Sequence, residues 1–394
     1  MIKKITVLFL TWRIGLFVVA ALAVKFIPVF GNRFPYFNQV LAVTGLPSWV
    51  WGFGNFDGVH YLRIAQNGYN AEYSQAFFPL YPLLVHFFTN LNLLVHKNPI
   101  LDTRIYVDPS YFFTGFILSN IFFLLALIFF YKLVRIDFSQ KVAFGALILL
   151  VSFPTSFYFG SIYTESLFLF LSLGAIYFAR KGNFLAAGVF TMFASATRIF
   201  GLLLIPLILN EIYIRLKKEG LSLRSGELTK AIIGVLLTPF GSLLYMLYLK
   251  LNFDNPLYFL TSQPLFGAER TSGGFILLPQ VIYRYLKIFM TVPISSQLFF
   301  NAFLEFSFTI VALVCLLLFV KKMRISYFIF TLGCLIMPTL TGTLSSMPRY
   351  SLMGFLLLPF IVQSTKGYYK LVAGLFIIIG IILTSLFIRG YWVA

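Results

Sequence analysis

Residues 5–24, ITVLFLTWRIGLFVVAALAV, are almost entirely apolar and have the length that a helix needs to cross a bilayer, roughly 20 residues. Residues 371–388, LVAGLFIIIGIILTSLFI, form a second segment of this kind. Over all 394 residues, 60% are hydrophobic, 19% aromatic and only 11% charged. A soluble fold cannot bury that much apolar surface, whereas a bilayer solvates it. The sequence therefore predicts an all-α polytopic membrane protein.

The net charge of +18, from 30 Lys+Arg against 12 Asp+Glu, is concentrated in short loops between apolar segments. These loops read YKLVR, ARKGN, IRLKKEG, KKMR and TKGYYK. Basic residues in short loops mark the cytoplasmic side of a membrane protein. No basic stretch belongs to a readable nucleic-acid-binding module, so we expect no nucleic acid partner. The pattern predicts a multi-pass protein of the cell (plasma) membrane with a cytoplasmic N-terminus.

Placing every basic loop inside gives about 11 transmembrane helices, within a range of 10–12. The count predicts two short spans between residues 184 and 216 that meet outside near Thr197 and Arg198. It also leaves residues 76–95, AFFPLYPLLVHFFTNLNLLV, without a crossing. We expect this segment to lie at the outer interface or to re-enter. The alternative is a true crossing that is compensated elsewhere.

We expect one integral membrane domain, residues 1–394, with two large extracytoplasmic segments. These segments are residues 27–110, the first extracytoplasmic loop with Asp57, and residues 252–297. Both contain aromatic and proline-rich pieces typical of interfacial helices. Four acids fall in predicted cytoplasmic loops or at span ends, where solvation explains them: Asp137, Glu211, Glu219 and Glu227. Any chemistry is expected on the extracytoplasmic face.

A polar island, FDGVHYLRIAQ, stands in the first of these segments. On a helix, Asp57, His60 and Ile64 share one stripe. Such a carboxylate can act as a general base, with the histidine orienting it or sharing its proton. The glycine-rich stretch WGFGNFDG before the island would let the backbone approach a ligand closely. The alternative for Asp57 is a simple helix N-cap.

Three arginines stand at predicted outer ends of spans, against the usual bias: Arg198, Arg270 and Arg349. A guanidinium is a planar fork suited to phosphate. For any single arginine the alternative is snorkelling to lipid headgroups. Three on the side that carries Asp57 favour an anion site. Glu165 falls where a span returns from the outer surface, and charges at that depth are usually functional.

The sequence contains no glycine-rich phosphate loop, no zinc-ligand spacing and no Ser/His/Asp arrangement. The three histidines, His60, His86 and His96, are spaced 26 and 10 residues apart and suggest no metal centre. We therefore expect metal-independent chemistry without a cofactor. An inventory of carboxylates, arginines and tyrosines suits a transfer whose leaving group is already good, such as a lipid phosphate.

Several motifs together resemble the PIG-V family, the GPI mannosyltransferase II enzymes and their prokaryotic relatives. They occur in the family's order and read FDGVHYLRIAQNGY, QAFFPLYPLL, FPTSFYFGSIYTESLFLFLSL, FASATRIFGLLL, DNPLYFLTSQPLFGAER and MPRYSLMGFLLLPF. The resemblance covers residues 55–360. It implies a GT-C fold with an extracytoplasmic active site, and an inverting glycosyltransferase that takes a sugar, here mannose, from a polyprenyl-phosphate donor.

The resemblance and the residue types together give expected roles for individual residues. Asp57 matches the aspartate treated as catalytic base, with His60 beside it. Arg198, Arg349 and Arg270 would bind the donor phosphate. Sugar or acceptor contacts would come from Glu165, Tyr163, Gln75, Gln263 and Tyr350. The expected partners are the donor, a lipid- or glycan-linked acceptor and membrane lipids.

The sequence departs from the family pattern in two places. Phe56 stands where tryptophan is usual, and Ile199 and Phe200 stand where Ser-Asn is frequent. The second change removes polar groups near the expected site and bears on the choice of sugar or acceptor. The rival interpretation is a membrane transporter or flippase of lipid-linked or small polar solutes, with Asp57 and Glu165 as proton-coupling groups. Transporters often show paired repeats, and the sequence shows none.

Overall fold

The computed structural model describes residues 1–31, 36–95, 102–219, 225–266, 270–271 and 274–393. In this part of the chain there are α-helices and 3₁₀-helices but no strands, so the all-α prediction is confirmed. The first ten α-helices are α1 (Ile2–Phe26), α2 (Phe37–Val40), α3 (Ser48–Trp51), α4 (Asp57–Asn67), α5 (Leu80–Asn90), α6 (Pro109–Asp137), α7 (Gln140–Ser152), α8 (Glu165–Arg180), α9 (Phe184–Thr197) and α10 (Leu204–Glu219). The other nine are α11 (Ser225–Leu237), α12 (Phe240–Phe253), α13 (Tyr258–Thr261), α14 (Leu278–Thr291), α15 (Gln297–Phe319), α16 (Ile325–Ile336), α17 (Met347–Tyr350), α18 (Leu358–Ser364) and α19 (Tyr369–Ile388).

Within the described residues, six helical stretches are long and apolar enough to cross a membrane. They are Ile2–Phe26, Pro109–Asp137, Ile199–Lys217, Gly226–Phe253, Gln297–Phe319 and Tyr369–Ile388. Shorter apolar helices lie at Gln140–Ser152, Phe184–Thr197 and Ile325–Thr341. A polytopic membrane protein follows from these helices, while the number 11 stays a prediction.

The segment that the sequence left without a crossing is broken and short. Its main helix, α5, has 11 residues, which span about 16 Å at 1.5 Å per residue. A hydrocarbon core is about 30 Å thick. The length of α5 therefore agrees with an interfacial or re-entrant position.

The chain divides into two compact units, each built from separated pieces of sequence. The first unit comprises Met1–Tyr131, Leu147–Phe170 and Tyr368–Val393. The second unit comprises Lys132–Ala146 and Leu171–Gly367. Asp57 and Glu165 belong to the first unit, and the three candidate arginines belong to the second.

Close glycine contacts hold the helices that position Arg198 in the second unit. A Cβ at Gly188 of α9 would lie 2.1 Å from the Gly234 carbonyl oxygen of α11. A Cβ at Gly241 of α12 would lie 2.0 Å from the Met192 carbonyl oxygen. Small residues at such contacts let helix backbones approach closely. The end of α9, where Arg198 follows, is thereby fixed against two neighbouring helices.

One expectation about the solvated acids is wrong. Glu211 is 5% exposed and accepts hydrogen bonds from the guanidinium of Arg324 at 3.0 and 2.7 Å and from Ser326 at 2.8 Å. A nearby pair links Arg180 with Asp137 at 2.6 and 2.7 Å. The sequence position of Glu211 suggested a solvated helix end, but tertiary packing buries it, and burial of a charge requires partners. The Glu219 side chain lies outside the described residues.

Candidate active site

Asp57 is the first residue of α4 and is half-buried. The N-cap position belongs to Phe56, and no side-chain cap bond is made there. The structure thus differs from the simple N-cap alternative. A carboxylate in the first turn interacts favourably with the positive end of the helix dipole. Asp57 and His60 are one helical turn apart, as the spacing predicted.

The Tyr163 phenol joins the start of α4 to the segment before α8. Its hydroxyl donates to the Asn55 carbonyl oxygen at 2.8 Å and accepts from the Asp57 backbone N–H at 3.3 Å. Tyr163 is 1% exposed. These bonds make it a support of the Asp57 backbone, and its predicted sugar contact stays a prediction.

Gly54 and Gly58, on either side of Asp57, make close packing contacts within the chain. A Cβ at Gly54 would lie 2.7 Å from a Leu41 methyl group, and one at Gly58 would lie 3.3 Å from the Ile162 carbonyl oxygen. We expected these glycines to admit a ligand. They let the start of α4 approach residues of its own unit, and the approach to a ligand stays a prediction.

Glu165 is the first residue of α8 and is buried. It follows Thr164, whose hydroxyl lies 3.4 Å from the Tyr61 phenol of α4. Burial raises the pKa of the Tyr81 phenol, and the charges of Tyr61 and Glu165 add to this rise. The start of α8 therefore lies beside α4, and the Glu165 charge acts on the Tyr81 phenol of α5.

Gln75 is also buried, and its amide donates to the Tyr69 carbonyl oxygen at 3.3 Å. The Tyr69 phenol in turn donates to the Phe77 carbonyl oxygen at 2.7 Å. The Phe77 ring stacks on the His60 imidazole, with centroids 4.9 Å apart. Gln75 is thus connected to the α4 face that carries His60.

Burial lowers the pKa of His60 to about 4, although the Asp57 charge acts in the opposite direction and Arg63 reinforces the fall. The imidazole is therefore neutral at physiological pH. A neutral imidazole can donate one hydrogen bond and accept another. His96 lies outside the described residues.

The lowered pKa of His60 predicts a stability that declines on acidification. An unfolded histidine binds a proton below about pH 6.5, whereas folded His60 resists it down to about 4. The contribution of His60 to the free energy of unfolding is therefore fully present above pH 6.5. That free energy falls by about 3 kcal/mol toward pH 4. In detergent, His60→Gln should flatten this part of the unfolding-temperature profile. His86→Gln, which removes the ring that bonds the Ala65 carbonyl oxygen, is the control, and equal flattening by both variants would contradict the assignment.

The second unit brings Arg198 and Arg349 to one aromatic ring. The guanidinium carbon lies 5.3 Å from the Tyr350 centroid for Arg198 and 5.6 Å for Arg349. Phe200 packs edge-on against Tyr350, at 5.4 Å between centroids. Arg349 is 7% exposed. Guanidinium groups favour aromatic faces, so the Tyr350 ring makes one contact with each of the two arginines.

Arg270 joins the same neighbourhood. Its guanidinium donates to the Gln263 side-chain oxygen at 2.8 Å and to the Ser346 hydroxyl at 3.4 Å. The Ser346 carbonyl oxygen accepts from the backbone N–H groups of Arg349 and Tyr350 at 3.0 and 2.9 Å. The five predicted residues of this unit therefore form one group, which we call the arginine cluster: Arg198, Gln263, Arg270, Arg349 and Tyr350.

The loop before α17 has a support that the sequence analysis missed. The Tyr285 phenol donates to the buried Glu305 carboxylate and accepts from the Leu344 N–H at 3.0 Å. It also lies 3.2 Å from the Thr343 hydroxyl. Glu305 was recognisable as an acid within an apolar helix. Tyr285 carries no such signal, because its role depends on a contact 59 positions away.

Arg13 is the other residue whose role was missed. It is 7% exposed within α1, donates to the Gly160 carbonyl oxygen at 3.1 Å, and lies 4.3 to 4.4 Å from the rings of Phe17, Phe53 and Phe116. An arginine inside a long apolar helix was the available signal. Its contacts fix the segment that leads to Tyr163 and Glu165.

The ten predicted residues thus form two groups. The first unit holds Asp57, His60, Gln75, Tyr163 and Glu165, and the second holds the arginine cluster. Among the described residues, no group of three or more His, Cys, Asp or Glu side chains could hold a metal ion. Metal-independent chemistry stays a prediction.

Among solved structures, the chain is similar to the oligosaccharyltransferase of Archaeoglobus fulgidus. Its apo form has a TM-score of 0.49 and 12% identity, covering 96% of this chain and 56% of that one. The form tethered with an acceptor peptide containing the NVT sequon has a TM-score of 0.47 and 14% identity, covering 96% and 55%.

Among curated proteins, GPI alpha-1,6-mannosyltransferase 2 of Rattus norvegicus is 29% identical over 160 residues, and that of Cricetulus griseus gives the same figures. The match covers 40% of this chain and 31% of each relative. A family model described as Mannosyltransferase (PIG-V) matches residues 39–269. Because this range is more than half of the 394 residues, the chain belongs to the PIG-V mannosyltransferase family.

Proposed function

We propose that this protein is an inverting glycosyltransferase that moves a sugar, mannose by family, from a polyprenyl-phosphate donor to a lipid- or glycan-linked acceptor. In this proposal the protein is of GT-C type, and the reaction takes place at the extracytoplasmic face of the cell membrane. The observation that carries the proposal is the arginine cluster, in a chain that belongs to the PIG-V family.

In this reaction the acceptor hydroxyl oxygen attacks the anomeric carbon while the bond from that carbon to the phosphate oxygen breaks. Asp57 accepts the hydroxyl proton as the new glycosidic bond forms. A single displacement from the opposite side inverts the anomeric configuration. Neutral His60, one turn along α4, orients the carboxylate and takes no proton.

The departing polyprenyl phosphate carries negative charge, and charge of this kind is stabilised by donors fixed in advance. Arg198 and Arg349, held about one ring of Tyr350, supply two guanidinium groups. Arg270, held by Gln263 and Ser346, supplies a third. These groups can neutralise the phosphate without a metal ion. Glu165, Tyr163, Gln75, Gln263 and Tyr350 are assigned to the sugar or the acceptor.

The proposal is tested by a transfer assay with purified protein and a panel of polyprenyl-phosphate sugars, each offered with lipid and glycan acceptors. We expect one donor to be consumed, with polyprenyl phosphate released and a product of inverted anomeric configuration formed, in the presence of a chelator. A nucleotide sugar should not replace the donor. Movement of the lipid-linked sugar between leaflets of a liposome, with the sugar–phosphate bond intact, would instead support the transporter alternative.

A further inference from the structure

The residue directly before Asp57 has a backbone conformation that favours glycine. Phe56 has φ 58° and ψ −115°. A side chain in this region is strained, and strain of this kind persists only where the surrounding structure holds it. Such residues concentrate at functional sites.

The last turn of α19 and the residues after it pack against the Phe56 ring. The ring lies 5.1 Å from Trp392, edge to face at 82°, and 5.8 Å from Phe387. Phe56 is 5% exposed. Aromatic pairs at these distances and angles add to the stabilisation that burial alone gives. Relaxing the Phe56 backbone would move this ring out of both contacts.

Hydrogen bonds hold the residue on each side. The Asn55 side-chain amide donates to the carbonyl oxygens of Phe387 and Ile388 at 2.9 and 3.2 Å. The Tyr163 phenol bonds the Asn55 carbonyl oxygen and the Asp57 N–H. Three consecutive residues are thus held by separate contacts, as a strained peptide requires.

The segment that provides these contacts, residues 387–392, is itself anchored. The Arg389 guanidinium donates to the carbonyl oxygens of Ile27 and Pro28, both at 2.6 Å, and lies 3.8 Å from the Phe30 centroid. The Gly31 N–H donates to the Arg389 carbonyl oxygen at 2.9 Å. Arg389 is 3% exposed. The segment is therefore a fixed support for residues 55–57.

We infer that Phe387, Ile388 and Trp392 form a clamp that holds Phe56 in its strained conformation and so positions the Asp57 carboxylate. Asn55, Phe56 and Trp392 are positioning residues, and Asp57 remains the group that contacts the acceptor. The inference rests on the proposed function in giving Asp57 the role of base. The clamp itself is a property of the first unit that can be measured without any substrate.

The test compares Trp392→Ala, Trp392→Phe and the control Tyr391→Ala in purified protein. Tyr391 is next to Trp392, but its phenol bonds the Val29 carbonyl oxygen at 3.4 Å. Releasing the strain at a residue of this type shifts the ratio of the strained to the relaxed conformation by about 5- to 100-fold. For Trp392→Ala we expect at least about a tenfold fall in kcat at nearly constant donor KM, and about a tenfold faster amide hydrogen exchange in residues 58–61. Trp392→Phe should restore most of the wild-type kcat and most of the wild-type exchange protection. The control Tyr391→Ala should change neither kcat nor the exchange rate.

Unchanged kcat and unchanged exchange in folded Trp392→Ala would overturn the clamp, and so would a fall in unfolding temperature with kcat intact. If Trp392→Ala does not fold, Trp392→Phe and Phe56→Gly carry the test. Glycine adopts the Phe56 backbone without strain but gives up the ring contacts, so it should lower kcat and speed exchange in the same residues. If the wild type transfers no sugar, the proposed function fails, and the exchange data still decide whether the clamp exists.

Discussion

Replacing Asp57 with asparagine is expected to lower kcat for sugar transfer by at least about 10²-fold, the lower end of what a positioned general base contributes. Asparagine has nearly the same shape but cannot take the proton of the acceptor hydroxyl. The fold should survive, because the N-cap position of α4 belongs to Phe56 and not to Asp57. The Tyr163 contact to residue 57 uses the backbone N–H, which asparagine keeps. The loss of first-turn charge alone costs about 0.3–1 kcal/mol.

The measurement is single-turnover transfer with saturating donor, together with the unfolding temperature in the same detergent. Asp102→Asn is the matched control. This acid also lies in the first predicted extracytoplasmic segment, but its carboxylate is 39% exposed and pairs with Arg104 at 3.0 Å. It should keep the wild-type rate within about twofold, since exposed pairs contribute little. Wild-type transfer by Asp57→Asn would remove the base assignment, and a parallel loss of rate and folding would make Asp57 a structural residue.

Much of the fold was predictable because a bilayer restricts what a chain can do. An apolar segment of about 20 residues in lipid has to satisfy its backbone as a helix, which is why α1 and α19 appear where the sequence placed them. The break at Arg198 was also predicted, because a charge between two short apolar stretches marks a turn toward water. In the structure α9 ends at Thr197 and a 3₁₀-helix follows Arg198.

The supports of the candidate site were not predictable, because they join residues far apart in sequence. The Asn55 side chain bonds a carbonyl 332 positions away, and nothing local to Asn55 indicates that partner. Phenylalanine gives no signal for the backbone of Phe56, since glycine is the residue expected at φ 58° and ψ −115°. Glu211 shows the same limit, because its position suggested solvent whereas its distant partner Arg324 allows burial.

Arg349→Gln is expected to lower kcat/KM for the donor by about 10²- to 10³-fold, the usual effect of removing one donor to a developing negative charge. The phosphate is common to every polyprenyl-phosphate sugar. The fall should therefore be nearly equal for any sugar that the enzyme accepts. Arg349→Lys should recover only part of it, because an ammonium keeps the charge but lacks the planar fork.

Arg135→Gln is the matched control, because this exposed arginine of the second unit bonds the Phe138 carbonyl oxygen and lies outside the arginine cluster. It should leave donor kcat/KM within about twofold, as surface substitutions usually do. The double variant Arg198→Gln with Arg349→Gln tests whether the two arginines bind the same phosphate. Both guanidinium groups lie within 5.6 Å of the Tyr350 centroid, so groups that hold one phosphate should show non-additive losses. Additive losses, or a loss confined to one sugar, would mean that Arg349 reads the sugar or the acceptor instead of the phosphate.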